Sequence, residues 1–199
     1  YEADALILAC GSKAAPETGS DGDGYTFAES MGHTVVDPLP ALTGLCVAEK
    51  DGGKVAGVRA DGAVTLQIGE EKYCESGELQ FTSYGLSGIP VFQISGRVSR
   101  LLYQGKEPYL KIDVMPDHTK EQVMEELLRR VNTYGVGRSL GDVLDGMLPD
   151  KLAKALLLAL HKSPGDGAEI LQEDRWRNDL ADQIKGKKLH TGYVNATQF

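Results

Sequence analysis

Positive charge and long apolar runs are both scarce in this sequence. Its 21 Lys and Arg residues are outnumbered by 29 Asp and Glu residues, which gives a formal net charge of −8 and a pI of about 5.0. A chain this acidic lacks the electrostatic footprint of a nucleic-acid-binding surface. No apolar run approaches the roughly 20 residues needed to cross a bilayer. We therefore expect neither a nucleic-acid partner nor a membrane partner.

Cysteine and histidine are also sparse. Cys10, Cys46 and Cys74 are odd in number and form no CxxC pair, which favours a reducing, cytoplasmic location over a disulfide framework. The four histidines have no ligand spacing, so we expect no metal site. No G-x-S-x-G motif is present, and the catalytic residue stays unknown. The chain begins Tyr1-Glu2 without methionine, which favours an internal or processed piece of a longer protein.

The first 33 residues have the order of an α/β unit. The continuous apolar run Ala5–Ala9 predicts a buried strand. A glycine-rich loop follows, and Tyr25–Met31 predicts a short helix ended by Gly32. Strand, loop and helix in this order are typical of the start of an α/β unit.

Three interpretations of the loop from Gly11 to Gly24 can be compared. An EF-hand fails because its glycine and glutamate positions are occupied by other residues. A phosphate cradle is disfavoured because the P-loop lysine-serine pair is absent and Asp21 and Asp23 would repel an anion. The same carboxylates suit helix capping or the acceptance of hydrogen bonds from a ribose or ribityl chain. A purely structural turn stays open beside that binding role.

The middle of the sequence predicts a small antiparallel sheet or barrel. Its short, partly alternating segments are separated by "KDGGK" (Lys50–Lys54), "ADGA" and "ESGE" (residues 75–78), all suited to tight turns. Asp61-Gly62 in "ADGA" is the strongest hairpin signal. The predicted strands are Thr43–Glu49, Lys54–Ala60, Ala63–Glu70, Lys72–Cys74 and Glu78–Tyr84.

Helical periodicity dominates most of the rest of the chain. Ser87 is a candidate cap for a helix over Ser87–Tyr103, and Leu110–Val114 returns to strand alternation. From Thr119 to Gly186 the sequence predicts helices only, beginning with a Thr119-x-x-Gln122 capping box. "KKLHTGYV" then predicts a returning strand. The fold class is therefore α+β, in which a helical block is inserted into a β domain.

Two motifs resemble the BaiN/YhiN-like (aminoacetone-oxidase-like) FAD-dependent flavoproteins. Ala5–Leu42 is similar to the family's ATGG, P-x-TGS-x-GDGY, GH and P-L-x-PAL pattern. "YGLSGIPVFQIS", Tyr84–Ser95, is similar to its GLSGP-x-x-x-Q-x-S motif, with Ile89 as an extra residue. The matches in the first motif are Pro16, Thr18–Ser20, Gly22–Tyr25, Gly32-His33 and Pro40–Leu42.

The resemblance implies an FAD domain interrupted by a β-barrel and a helical subdomain. This chain would then hold three parts: a short α/β remnant of the FAD-binding domain (1–37), a barrel-like insert domain (38–116 with 187–199) and a helical subdomain (117–186). No G-x-G-x-x-G fingerprint is present, so the loop for the FAD pyrophosphate would precede Tyr1. The family pattern has threonine and glycine where this chain has Cys10 and Ser12.

The implied function is that of an FAD-dependent oxidoreductase acting on a small organic molecule. NAD(P)H as a further partner stays open, and the isolated fragment is expected to be inactive and to lose FAD. The alternative is a binding or interaction module without catalysis. Tyr84, Ser87 and Gly88 are implied to lie on the substrate side. The implied cofactor-binding residues are Gly11, Thr18, Gly19, Ser20, Asp21, Gly22, Asp23 and Gly24.

Overall fold

The computed structural model describes residues 2–14, 16–48 and 54–194. The strands in these ranges are β1 (Leu45–Val47), β2 (Arg59–Ile68), β3 (Glu71–Phe81), β4 (Gly85–Ser87), β5 (Tyr109–Asp113) and β6 (Lys187–Val194). The α-helices are α1 (Asp23–Ser30), α2 (Ile89–Tyr103), α3 (Lys120–Tyr134), α4 (Leu140–Leu144), α5 (Asp150–Ala159) and α6 (Asp174–Gly186). Short 3-10 helices span Pro16–Thr18 and Ala168–Gln172.

The six strands form a closed antiparallel barrel in the order β1-β4-β3-β2-β5-β6. The returning strand β6 closes it by pairing with β5 on one side and with β1 on the other. Helices α3 to α6 lie between β5 and β6 in the chain. The α+β class with a small antiparallel barrel is thereby confirmed, whereas the proposed domain boundaries stay predictions. Fully buried leucine and isoleucine side chains fill the barrel: Leu45, Leu66, Leu79, Leu86, Leu110 and Ile112.

The predicted Asp61-Gly62 turn is wrong. Both residues lie within β2, and the chain turns instead at residues 69–70. A Cβ on Gly62 would lie 2.8 Å from the carbonyl oxygen of Asp113 and 2.7 Å from Cδ1 of Leu79. Gly62 is therefore needed for close packing inside the barrel, and the dipeptide's resemblance to a hairpin turn is incidental.

The other two turn predictions have different outcomes. The "ESGE" residues 75–78 lie inside β3, so a turn there is also wrong. Gly77 in this stretch pairs with Gly62 of β2. "KDGGK", Lys50–Lys54, falls on residues outside the described ranges except for its last one.

The predicted strand at Ala5–Ala9 does not form. These residues have no regular secondary structure, and Leu6 and Ile7 are 73% and 88% exposed. A strand forms only with a partner edge, and the described residues provide none here. The short helix is confirmed as α1, which is followed by Gly32 at φ +87°.

A polar stripe on α2 holds the segment of residues 37–43. Ser95, Ser99 and Tyr103 recur at four-residue spacing and therefore share one face of the helix. Their partners are the N–H of Thr43 (3.2 Å from Ser95 Oγ), the carbonyl of Pro40 (2.6 Å from Ser99 Oγ) and the carboxylate of Asp37. The hydrogen bond from Tyr103 to Asp37 and the charge of that carboxylate raise the pKa of Tyr103.

Ser87 does not cap α2, contrary to the prediction. It belongs to β4 and pairs with Gln80, and Gly88 is the N-cap without a side-chain bond. Gly88 has φ +105°, and a Cβ there would lie 2.4 Å from the carbonyl oxygen of Glu78. Glycine is therefore required at this strand-to-helix corner.

The helical part is fixed to the barrel through α6 and β5. Lys185 Nζ forms an ion pair with Asp113 Oδ2 at 2.6 Å and donates to the carbonyl of Met115 at 2.7 Å. The backbone N–H of Val114 donates to the carbonyl of Ile184 at 3.0 Å. The predicted Thr119–Gln122 capping box forms at the start of α3.

Two arginines on α3 share one carboxylate. Arg129 and Arg130 donate to Glu126 at 2.7 Å, and Arg130 also donates to the carbonyls of Val143 and Asp145. These hydrogen bonds lower the pKa of Glu126 from its ordinary 4.5 to about 2. The cluster thus joins α3 to the end of α4.

Replacing Glu126 with Gln is expected to remove a pH-dependent part of the stability. The pKa of Glu126 is lowered on folding, so its carboxylate stabilises the fold above pH 4.5 and loses this effect as the pH falls toward 2. The free energy of unfolding of wild type should exceed that of Glu126→Gln near neutral pH, and the gap should close toward pH 2. Chemical denaturation at several pH values measures the gap, and one that does not change with pH contradicts the prediction.

Candidate functional site

The glycine loop is a compact turn that leads into α1. Its glycines Gly11, Gly19 and Gly22 have φ values of +78°, +87° and +95°, which side-chain-bearing residues rarely adopt. Ser20 Oγ donates to the carbonyl of Cys10 at 2.8 Å and joins the two ends of the loop. A Cβ on Gly11 would lie 2.9 Å from this Oγ. Gly11 is therefore explained by packing within the loop.

The remaining loop glycines differ in how much space a side chain at each position would have. A Cβ on Gly22 would lie 2.6 Å from Cε of Lys13, and one on Gly24 would lie 3.3 Å from Sγ of Cys10. A Cβ on Gly19 would meet no atom of the described residues within 4 Å. Gly19 is therefore the position in this loop where bare backbone faces open space.

Hydrogen-bond acceptors lie close in sequence to this open position. Asp21 and Asp23 are exposed, and Asp21 Oδ1 accepts the N–H of Asp23, the first residue of α1, at 3.1 Å. Asp21 thus satisfies one N–H at the start of the helix, although the N-cap residue itself is Gly22. Thr18 is exposed and Ser20 is half-buried. The aspartate oxygens thus remain available to accept further hydrogen bonds, since a carboxylate has about four lone-pair sites.

The segment containing the loop has an apolar surface that nothing in the described chain covers. Helix α1 buries none of its side chains. The large exposed apolar side chains among residues 5–36, which we name the N-terminal apolar residues, are Leu6, Ile7, Leu8, Phe27, Met31 and Val36.

The three predicted substrate-side residues lie at the barrel and not in the glycine loop. Tyr84 precedes β4, and a Cβ on Gly44 of the neighbouring strand segment would lie 2.8 Å from its hydroxyl oxygen. Ser87 is buried in β4, and Gly88 begins α2. None of the three forms a hydrogen bond with the described residues of the glycine loop. Their predicted role at a substrate therefore stays a prediction, like that of the loop residues at a cofactor.

Sequence reasoning missed a concave site between the barrel and helix α5. A cavity of about 280 Å³ lies there, and Gln183 of α6 is among its lining residues. The sequence did contain a signal, because Gln183 lies between Leu180 and Ile184 on the apolar stripe of α6. A polar residue at a core-facing position is a departure that deserves a functional explanation.

The described residues form neither a metal-ligand cluster nor a membrane-spanning helix. No group of three or more His, Cys, Asp or Glu side chains among residues 2–14, 16–48 and 54–194 is arranged to hold a metal ion. Within these ranges, no helix combines the length and apolarity that a bilayer crossing requires.

Comparison with known proteins identifies the family. Residues 39–191 match the family described as "HI0933-like protein barrel and H2TH domain". The chain is also 39% identical over 179 residues to the 3-dehydro-bile acid delta(4,6)-reductase of Clostridium scindens. This alignment covers 89% of the chain and 44% of that relative, so the chain spans less than half of its length. The chain therefore belongs to the HI0933-like family, which confirms the resemblance to the BaiN/YhiN-like flavoproteins.

Proposed function

We propose that the protein containing this chain is an FAD-dependent oxidoreductase of a small organic molecule. The chain would supply part of the cofactor wall through its glycine loop and would cover the substrate with its barrel and helices. The observation that carries the proposal is the open backbone at Gly19 beside exposed acceptors, in a chain similar to a protein named as a reductase.

The loop residues fit part of an FAD molecule. The bare backbone of Gly19 admits a flat or extended group at van der Waals distance. Asp21 and Asp23 suit the hydroxyls of a ribityl chain or ribose, whereas they would repel the pyrophosphate. Gly11, Gly22 and Gly24 would act indirectly by giving the loop its shape. When bound, the flavin would supply the exchange of electrons with the substrate.

The N-terminal apolar residues support the same proposal. These six exposed apolar side chains would be buried if the rest of a nucleotide-binding domain packed against them. The 199-residue chain alone should therefore hold FAD poorly, since most of the cofactor's contacts would come from elsewhere. We extend the proposal to NADH or NADPH as the electron donor.

The visible absorbance of the full-length protein tests this proposal. The purified protein, reconstituted with FAD and freed of excess cofactor, should show the absorbance of bound flavin. The spectrum should bleach when NADH or NADPH is added without oxygen. A protein that stays colourless after reconstitution contradicts the flavoprotein proposal, and one that binds flavin without bleaching contradicts only the nicotinamide part.

A further inference from the structure

Helix α2 fixes the chain segment that leads into β1, residues 37–43, which we name the strap. The buried apolar side chains of α2 belong to the same hydrophobic core as the barrel leucines. Two of the three side chains that bond to the strap, Ser95 and Ser99, are 0% and 3% exposed. Hydrogen bonds shielded from water are stronger than exposed ones. The strap is therefore anchored to the barrel.

The strap is also stiff and closely packed. A Cβ on Gly96 of α2 would lie 3.4 Å from Cβ of Ala41, so the strap lies close to the helix. Pro38 and Pro40 each have a fixed φ. Leu42 has φ +53°, a left-handed conformation that leucine keeps only where the surrounding structure imposes it. Because Leu42 is 74% exposed, the anchors on either side of it impose this conformation, and not burial of its side chain.

The three residues before the strap, 34–36, have no such anchors. Two of them are exposed and the middle one is half-buried. His33 still belongs to the end of α1, since its N–H donates to the carbonyl of Ala28 at 3.1 Å. Within residues 2–14, 16–48 and 54–194, no hydrogen bond or ion pair joins the part up to residue 36 with the part after it. Residues 34–36 are therefore the least restrained link between α1 and the strap.

We propose that residues 34–36 are a pivot on which the barrel turns relative to the glycine loop, with the strap moving as part of the barrel. A hinge concentrates its changes of backbone angle in a few residues between packed bodies. The anchors on α2 begin at Asp37, so these changes fall on the three residues before it. Turning changes the separation of the glycine loop and the barrel without breaking the bonds between the strap and α2. The proposal does not depend on whether the protein binds a flavin.

Distances between spin labels on the full-length protein test the proposal. The exposed Cys74 of β3 takes the barrel label, Leu42→Cys the strap label and Glu29→Cys the α1 label, while the exposed Cys10 is replaced by Ser. Pulsed EPR should give a narrow distance distribution between strap and barrel, and distributions about twice as wide from α1 to either of them. Equal widths for the three pairs overturn the proposal. A narrow α1–strap distribution beside a wide strap–barrel distribution also overturns it.

Variants of the anchors and of the pivot locate the motion. Ser95→Ala with Ser99→Ala removes two anchors and should widen the strap–barrel distribution to the width of the α1–strap distribution. Ser76→Ala with Ser83→Ala, the same changes at exposed serines outside α2, should leave it narrow. Val36→Pro fixes one φ in the pivot and should narrow the α1–strap distribution alone. An α1–strap distribution that Val36→Pro leaves unchanged, or a strap that stays narrow without both anchors, overturns the proposal.

Discussion

Replacing Gly19 with Val in the full-length protein is expected to weaken FAD binding about a hundredfold. The valine side chain would project into the open space above the loop, where the account places the cofactor. A clash or displacement of this kind costs about 2–3 kcal/mol, which corresponds to roughly a hundredfold in affinity. Titration of the apoprotein with FAD measures the change.

Gly32→Val is the matched control for this experiment. Gly19 and Gly32 both have φ +87°, and in the part of the chain that the structure describes a Cβ at either position meets nothing within 4 Å. The two substitutions therefore impose the same backbone strain, but Gly32 follows the other end of α1. We expect the control to retain the wild-type affinity for FAD. Equal affinities in the two variants would contradict the role given to Gly19.

Gly85→Ala should destabilise the barrel by about 3 kcal/mol or more. Gly85 has φ +150°, and a Cβ there would lie 2.3 Å from the carbonyl oxygen of Leu45 and 2.8 Å from the backbone nitrogen of Val47. Both contacts are with backbone of β1, which cannot move without breaking the pairing of β1 and β4. The melting temperature should fall by about 10 °C, as measured by scanning calorimetry.

Gly57→Ala separates the clash from backbone strain. Gly57 has φ +86°, and no atom of the described ranges lies within 4 Å of a Cβ there, so alanine should cost only about 1–2 kcal/mol for its left-handed conformation. If Gly85→Ala costs no more than Gly57→Ala, the close approach of β1 and β4 does not limit the choice of residue.

The helical part of the fold was predictable because its signals are local. The capping box at Thr119 and the apolar spacing of Val123, Leu127 and Val131 lie within single helices, so periodicity and capping preference suffice. The returning strand β6 was predictable for a similar reason, since strand-like residues directly follow the last helical turn. Its closure of the barrel against β1, however, depends on partners about 145 residues away in the sequence.

The errors occur where tertiary packing overrides a local signal. Asp61-Gly62 has the residues of a hairpin turn, but Gly62 is selected by its contact with Leu79 and β5. Ala5–Ala9 has the apolarity of a buried strand without a partner in the described chain. Ser87 has the residue type of a helix cap but belongs to strand β4, where it pairs with Gln80. The deciding neighbours of Gly62, Leu79 and Asp113, are distant in sequence, whereas Ser87 pairs with the nearby Gln80.

The candidate sites likewise depend partly on local sequence signals and partly on contacts that exist only in the assembled fold. The glycine-rich loop was recognisable from composition, but only the structure distinguishes the open Gly19 from Gly22 and Gly24, which Lys13 and Cys10 cover. The cavity at Gln183 requires the barrel and α5 to be assembled first. Gln183, a polar residue on the apolar stripe of α6, was a visible but unspecific signal.

A structure of the full-length protein with FAD would show where the cofactor lies relative to the glycine loop. We expect atoms of the cofactor's ribityl chain or ribose within about 4 Å of the Gly19 backbone, with their hydroxyls donating hydrogen bonds to the Asp21 or Asp23 carboxylate. A structure in which FAD is bound far from residues 19–24 would contradict the account, whatever the protein's activity.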